Sequence, residues 1–369
     1  MIKTITKELE KAEKPILIFG HGIKLAGCKK EALELLRTLN IPVALTWGTL
    51  DMLPYNDRLN AGMFGTIGTK YANMAVQNAD FILSLGSRLD SHNIGTNIKG
   101  FAPNATKIAI DIDKEELNKL KPYVEGCVMD LRQFFKEISS EIIITKDCTA
   151  WINRINKWKK LYPVCKKKYH RQRNFVNPYS FLEKLSEVCD DNEIIIPDAG
   201  QNVSISFQGF KVRSNQTIFS AYNNSPMGYA LPASIGASIA NNKRQVVCII
   251  GDGGLQMNIQ ELATIHHHKL PIKIFIFNNS GYGMMKQTQD DWLKSQYEAA
   301  DIEHNVPLPD IMEVARAYGF PTEYILNNKD LSRIKDILSK PYPMIIDVRL
   351  SPEQRIKPKL LFGKNLEDI

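Results

Sequence analysis

Two short loops carry residue types that grip an anion through a cation. Gly251-Asp252-Gly253-Gly254 follows directly on the apolar run Val246–Ile250, and Asn278-Asn279-Ser280-Gly281-Tyr282-Gly283 contains the end of the run that starts at Ile272. Glycine lets backbone N–H groups approach an anion closely, and a helix expected to start near Asn258 points its positive end the same way. Asp252 and Asn279 offer hard oxygen ligands, the kind that hold Mg2+ or Ca2+ against a diphosphate. A single Gly-Asp-Gly marks no more than a β-turn. Two such loops, each after a buried strand, open onto the carboxyl edge of one parallel sheet, where ligands of open α/β sheets bind.

The elements that must position these loops alternate between strand and helix. Pro15–Phe19, Pro42–Leu45, Phe81–Leu85 and Lys107–Asp111 are short apolar strands, and Glu31–Leu39 repeats its apolar residues at helical spacing. A second series runs from the helix that Asn177-Pro178 opens through strands at Ile194–Ile196, Val246–Ile250, Ile272–Phe277 and Pro343–Val348. Continuous apolar strands separated by helices imply parallel sheets covered on both faces. The fold class is therefore α/β, with two doubly wound parallel-sheet domains over 1–140 and 176–350. Residues 141–175 are expected to be a linker with a helix whose lysines face water, and 351–369 a C-terminal tail over the surface.

The bulk composition fits a globular chain: of 369 residues, 44% are apolar and 24% charged, which argues against disorder. A formal charge of +7 is too weak an excess to argue for nucleic acid. No apolar run approaches the ~18 residues of a membrane span, and Met1-Ile2-Lys3-Thr4 is no signal peptide, so a cytoplasmic location is expected. Six scattered cysteines show no spacing suited to zinc and fit a reducing compartment. His266-His267-His268 is read as a helix surface, because adjacent helical residues point in different directions.

Neighbouring segments carry a resemblance. Gly251 through Asn279 resembles the thiamine-diphosphate signature. Ser225-Pro226-Met227-Gly228-Tyr229-Ala230-Leu231-Pro232-Ala233 and Asn258-Ile259-Gln260-Glu261-Leu262-Ala263-Thr264 resemble the "GxMGxxLPA" and "NxQELAT" stretches of acetolactate synthases. Gly62–Gly65, Gly68–Asn73 and Ile110–Asp113 resemble middle-domain motifs of the same family. The resemblance implies a Rossmann-like middle domain over 1–140 and a thiamine-diphosphate-binding domain over 176–350. It implies that Asp252, Asn279 and the Gly281 carbonyl hold Mg2+, and that Gln201, Asn202, Gly253 and Gly254 contact the diphosphate. Ser225, Gly251, Tyr282, Gly283 and Met284 complete the implied cofactor site. Met257 is implied to wedge the cofactor into its bent form, and Met227 to meet its aminopyrimidine ring.

The reaction implied is decarboxylation of a 2-keto acid such as pyruvate, with ligation of the two-carbon unit to a keto acid or keto-sugar. In the family, a glutamate on an N-terminal pyrimidine-binding domain starts the chemistry. Here Met1 lies close to the first middle-domain strand, so that domain is expected on a separate partner subunit, in a hetero-oligomer. The alternatives are a fragment of a longer enzyme and a non-catalytic cofactor-binding or regulatory module. Acetolactate synthases carry a tryptophan where this sequence has Thr288, which points to a roomier acceptor pocket. FAD is a further implied cofactor: Gly20-His21-Gly22 and Gly86-Ser87-Arg88 fit a flavin-binding middle domain, with Arg88 near its phosphates. The family's Met-His and Asp-Arg pairs are replaced by Thr66-Ile67 and Ser91-His92.

Overall fold

The computed structural model describes residues 1–141 and 147–369; of the expected linker, residues 142–146 lie outside the described residues. The chain forms two compact units, one of Met1–Pro163 with Pro358–Ile369, the other of Val164–Lys357.

The first unit holds a six-stranded, all-parallel sheet in the order β3-β2-β1-β4-β5-β6. Its strands are β1 (Pro15–Phe19), β2 (Val43–Leu45), β3 (Asn60–Met63), β4 (Phe81–Leu85), β5 (Thr106–Asp111) and β6 (Glu125–Val128). Every residue of β1 and β4 is buried, as expected for central strands covered on both faces. The helix Lys29–Leu39 buries Ala32, Leu35, Leu36 and Leu39, one stripe at helical spacing. Truncating the fully buried Leu36 to alanine would cost about 2–5 kcal/mol.

The lysine-rich helix, Thr149–Leu161, belongs to this unit and is not a simple spacer. It buries Trp151, Ile152 and Ile155, and the Trp151 indole donates to the Pro15 carbonyl at 3.2 Å. Lys157 and Lys160 face water, but Lys159 does not. Its ammonium donates to the Tyr55 carbonyl and, at 3.3 Å, to the Asn60 carbonyl, and lies 3.9 Å from the centre of the Tyr55 ring. Carbonyls and an aromatic face replace the water that a lysine otherwise needs. The expected surface tail is also partly built in: Leu360 and Leu366 are buried, and the Leu366 carbonyl accepts from the Asn73 amide at 2.9 Å.

The second unit holds another six-stranded parallel sheet, in the order β11-β12-β10-β9-β7-β8. Its strands are β7 (Ile194–Pro197), β8 (Thr217–Ile218), β9 (Val246–Gly251), β10 (Ile272–Asn278), β11 (Thr322–Ile325) and β12 (Met344–Arg349). The helix Pro178–Val188 starts where the sequence places it: Asn177 Oδ1 accepts from Tyr179 and Ser180 N–H groups, with proline in the first turn. Strand order reverses between β7 and β9, so the loops leaving these two strands diverge and open a crevice at their carboxyl ends.

Candidate active site

The crevice is a cavity of about 580 Å³. Its walls include Gln201 and Asn202 after β7, Ser225 and Met227, the whole Gly251–Gly254 loop after β9, and Asn279 with Gly281–Met284 after β10. The loops read as chemical in the sequence therefore meet in one place. Met257 is not in the wall, though it stands half-exposed beside it: a Cβ built on Gly228 would lie 2.7 Å from that of Met257. Arg88 belongs to the other unit, where its nearest ion-pair partner is Asp90 at 3.5 Å.

Asp252 is the electrostatic centre of the crevice. Its side chain is buried, one oxygen accepting the Gly253 N–H at 2.8 Å and the other the Gly281 N–H at 3.1 Å. Burial raises its carboxyl from 3.8 to about 7, against the pull of those backbone donors. No cationic side chain pairs with it among the described residues. A buried carboxylate without a counter-charge is costly, and a bound cation would remove that cost.

The helix after β9 starts earlier than the sequence suggested. It runs Asp252–Met257, and the chain turns through Asn258–Gln260 before the next helix, Glu261–His268. Gly251, in extended backbone, is the N-cap and no side chain caps it, so the first helical residue is Asp252 and not Asn258; the Asp252 carboxylate accepts the N–H of the next residue. Close packing dictates the glycines that follow. A Cβ on Gly253 would come 2.1 Å from the Tyr282 ring, and one on Gly254 2.3 Å from Asp198 Oδ2. Only glycine fits at either position.

Gln201, expected on the diphosphate, donates its amide N–H groups to the carbonyls of Gly283 and Gln354, each at 3.0 Å. It ties the post-β10 loop down. Asp198 was not singled out in the sequence. Buried at the end of β7, it accepts from the Gly228 N–H at 3.0 Å and the Ala230 N–H at 3.1 Å, and so sets the turn that carries Met227. Its signal was available: a lone carboxylate closing an apolar strand ahead of Ala199-Gly200. The wall also includes Met285, Thr288 and Leu350.

Two family models match this chain: the thiamine pyrophosphate enzyme central domain over residues 2–138, and the C-terminal TPP binding domain of the same enzymes over 198–348. The chain belongs to the thiamine pyrophosphate enzyme family. It is 33% identical to an acetolactate synthase large subunit of Cyanidium caldarium, over 99% of this chain and 62% of that one. It is 32% identical to a probable acetolactate synthase large subunit of Methanococcus aeolicus (96% and 61%), and 29% identical to an acetolactate synthase large subunit of Lactococcus lactis (100% and 63%). The chain thus spans less than two thirds of these relatives. As a thiamine pyrophosphate enzyme, it places the residues of its C-terminal TPP binding domain around the crevice described above.

In the first unit, the turns after β1 and β4 cross at that sheet's own switch point. The Gly20 N–H donates to the Leu85 carbonyl and the Gly22 N–H to the Gly86 carbonyl, both at 2.9 Å. A Cβ on Gly20 would lie 2.1 Å from the Gly86 carbonyl oxygen. Packing of one turn on the other accounts for this glycine pattern without a ligand. All six cysteines are free thiols, and among the described residues no helix is long and apolar enough to cross a membrane.

Proposed function

We propose that the second unit binds thiamine diphosphate through Mg2+ and, with a partner, decarboxylates a 2-keto acid such as pyruvate and ligates the two-carbon unit to an acceptor. The observation that carries this reading is Asp252: a buried carboxylate between two glycine-rich loops, held by backbone N–H groups and with no cationic side chain paired to it among the described residues. Asp252, the Asn279 side chain and the Gly281 carbonyl are the ligands proposed for the metal. The donor set fits, since all three present hard oxygens.

Gly253, Gly254 and Asn202 lie where a diphosphate would sit against that metal, with Ser225, Gly251, Tyr282, Gly283 and Met284 around it. Gln201 positions the loop that carries Gly283. Met227 and Met257 are proposed to shape the cofactor's conformation, one from the wall and the other from beside the Met227–Gly228 turn. Thiamine diphosphate, when bound, supplies the electron sink that decarboxylation requires. Met284, Met285 and Leu350 exclude water from the apolar side of the crevice.

The reading includes a pyrimidine-binding partner that brings a glutamate, in a hetero-oligomer. Among the described residues, the carboxylates in the wall are Asp198 and Asp252, and both are committed to backbone N–H groups. Neither is free to protonate a cofactor ring. FAD is left out of the proposal, because backbone packing already explains Gly20, Gly22 and Gly86; a flavin absorption band in the purified protein would bring it back. The protein is proposed to work in the cytoplasm.

The test is reconstitution. Pyruvate consumption should require this chain, thiamine diphosphate, Mg2+ and a pyrimidine-binding chain together. Cofactor binding without turnover in every such mixture would favour a non-catalytic module. No Mg2+-dependent cofactor binding would end the reading.

A further inference from the structure

Away from the crevice, the second unit brings together three metal-ligating side chains. Cys165 and His170 lie in the stretch leading to the helix Pro178–Val188, and Glu183 lies on that helix. Cys165 Sγ is 3.4 Å from His170 Nε2, which is 3.1 Å from Glu183 Oε2, and the three ligand atoms all lie within 4.8 Å of one another. None of the three is in the wall of the crevice. Sequence spacing alone gave no hint of this cluster, because the third ligand comes from the helix, nearly two turns beyond the capping Asn177.

The arrangement is not that of a thiol nucleophile activated by a histidine and a carboxylate. Such a relay uses the two ring nitrogens separately, one toward the nucleophile and the other toward the carboxylate. Here thiol and carboxylate converge on the same nitrogen, Nε2. One nitrogen cannot be both the acceptor of the thiol proton and the donor to a carboxylate, and the thiol hydrogen-bonds the Glu183 carboxylate as well. A cation at the centre would take the place of those protons and be held by all three atoms at once.

The dimensions agree. With zinc–ligand bonds of about 2.0–2.3 Å in a tetrahedron, neighbouring ligand atoms stand about 3.3–3.6 Å apart. Two observed edges, 3.4 Å and 3.1 Å, are close to this, and the third lies within 4.8 Å, so side-chain rotation closes the triangle on a metal. Glu183 is oriented from its far side, where Lys211 donates to Oε1 and leaves Oε2 facing the cluster. Outer contacts of this kind fix ligands in place. Ser180 Oγ lies 3.7 Å from Cys165 Sγ, one helical turn before Glu183. His170 is half exposed, which leaves a route in from solvent.

We propose that Cys165, His170 and Glu183 form a three-ligand site for zinc or a similar thiolate-binding divalent metal, with a solvent molecule as the fourth ligand. The Cys165 thiol gives up its proton to solvent as the sulfur–metal bond forms. A sulfur-nitrogen-oxygen set selects borderline metals over Mg2+. The bound metal staples the segment around residues 165–170 to the helix Pro178–Val188.

Cobalt(II) titration of the intact chain tests this, with thiolate-to-cobalt charge transfer as the readout and Zn2+ as competitor. A saturable band at one equivalent is expected, displaced by Zn2+. It should vanish in Cys165→Ser and persist in Cys127→Ser. His170→Ala and Glu183→Gln should each weaken Co2+ binding at least about tenfold. His170 is a surface residue, so His170→Ala keeps the test open if Cys165→Ser fails to fold, with circular dichroism as the check. No charge-transfer band at saturating Co2+, or a band that survives in Cys165→Ser, would overturn the proposal.

Discussion

The Asp252 carboxylate accepts the Gly281 N–H at 3.1 Å, so the loops leaving β9 and β10 are joined through one buried anion. Its second oxygen takes the Gly253 N–H at 2.8 Å. Four backbone donors, on Gly253, Gly281, Ser280 and Asn279, act on this carboxyl, yet burial still dominates and holds it at about 7. Backbone dipoles alone do not replace bulk water for a fully buried charge.

Mg2+ and the proton should therefore compete for Asp252 close to neutrality. Apparent Mg2+ affinity, titrated in the presence of thiamine diphosphate, should rise about tenfold per pH unit below the carboxyl's value, as one-proton linkage requires. Above about 7 it should flatten. Asp252→Asn should abolish the slope and weaken cofactor binding beyond the ~100-fold that outer-contact changes reach. A flat profile in the parent protein would refute the assignment.

The same carboxyl makes cation-free stability depend on pH. Its folded value is raised from 3.8 to about 7, so between those values the native state holds a proton that the unfolded chain has lost. The group's contribution is therefore intact at low pH, falls as pH rises through that window, and stays low above it. Denaturant unfolding of parent and Asp252→Asn should show a difference that moves against the parent as pH rises. Saturating Mg2+ with thiamine diphosphate should reverse that trend.

Gly253 and Tyr282 should be energetically coupled. A Cβ at 253 would sit 2.1 Å from the Tyr282 ring, a separation that side chains do not tolerate, so the ring or the loop must move. Gly253→Ala should lower thiamine diphosphate affinity at least about tenfold, and adding Tyr282→Ala should recover part of it. The coupling in a double-mutant cycle should fall in the range of about 0.5–3 kcal/mol. Additive losses would mean that the ring is not the obstacle.

Asp198 should matter for stability as well as for the crevice. Asp198→Ala leaves the Gly228 and Ala230 N–H groups without their acceptor, at about 1–3 kcal/mol for each donor left unsatisfied. Asp198→Asn keeps one acceptor and sheds a buried charge, so it should cost less. Chemical denaturation distinguishes the two variants. Equal stability of Asp198→Ala and the parent would show that the Met227 turn does not depend on this anchor.

The sequence was most legible where the chain is most buried. In each sheet the four central strands are near-continuous apolar runs, and those are the ones the pattern identifies. The edge strands β3, β6, β8 and β11 escape it. Thr217–Ile218 is only two residues long, Asn60–Met63 contains a glycine and an asparagine, and the exposed residues of Glu125–Val128 break the apolar pattern. Within the site, the loops after β9 and β10 were visible because glycine, aspartate and asparagine directly after a buried strand are unusual company. Asp198 was missed because a single carboxylate has no pattern. Lys159 and the Cys165–His170–Glu183 cluster depend on partners distant in sequence or one helix away, which spacing does not encode.

Thr288 offers the sharpest test of acceptor choice. It sits in the wall beside Met284 and Met285, one helical turn past Met284, whose carbonyl its hydroxyl reaches at 3.0 Å. The resemblance to acetolactate synthases implies a tryptophan at the matching position, and we propose that the smaller side chain here makes room for an acceptor. Filling it should penalise a bulky acceptor more than a second pyruvate. Thr288→Trp, assayed in the reconstituted assembly with pyruvate and a keto-sugar competing, should raise the proportion of acetolactate at least about tenfold, a difference of about 1.4 kcal/mol of the kind pocket shape supplies. Retained cofactor affinity would show that the variant altered the acceptor pocket and not the diphosphate site. An unchanged product ratio would mean that the acceptor lies elsewhere, most simply against the partner's surface.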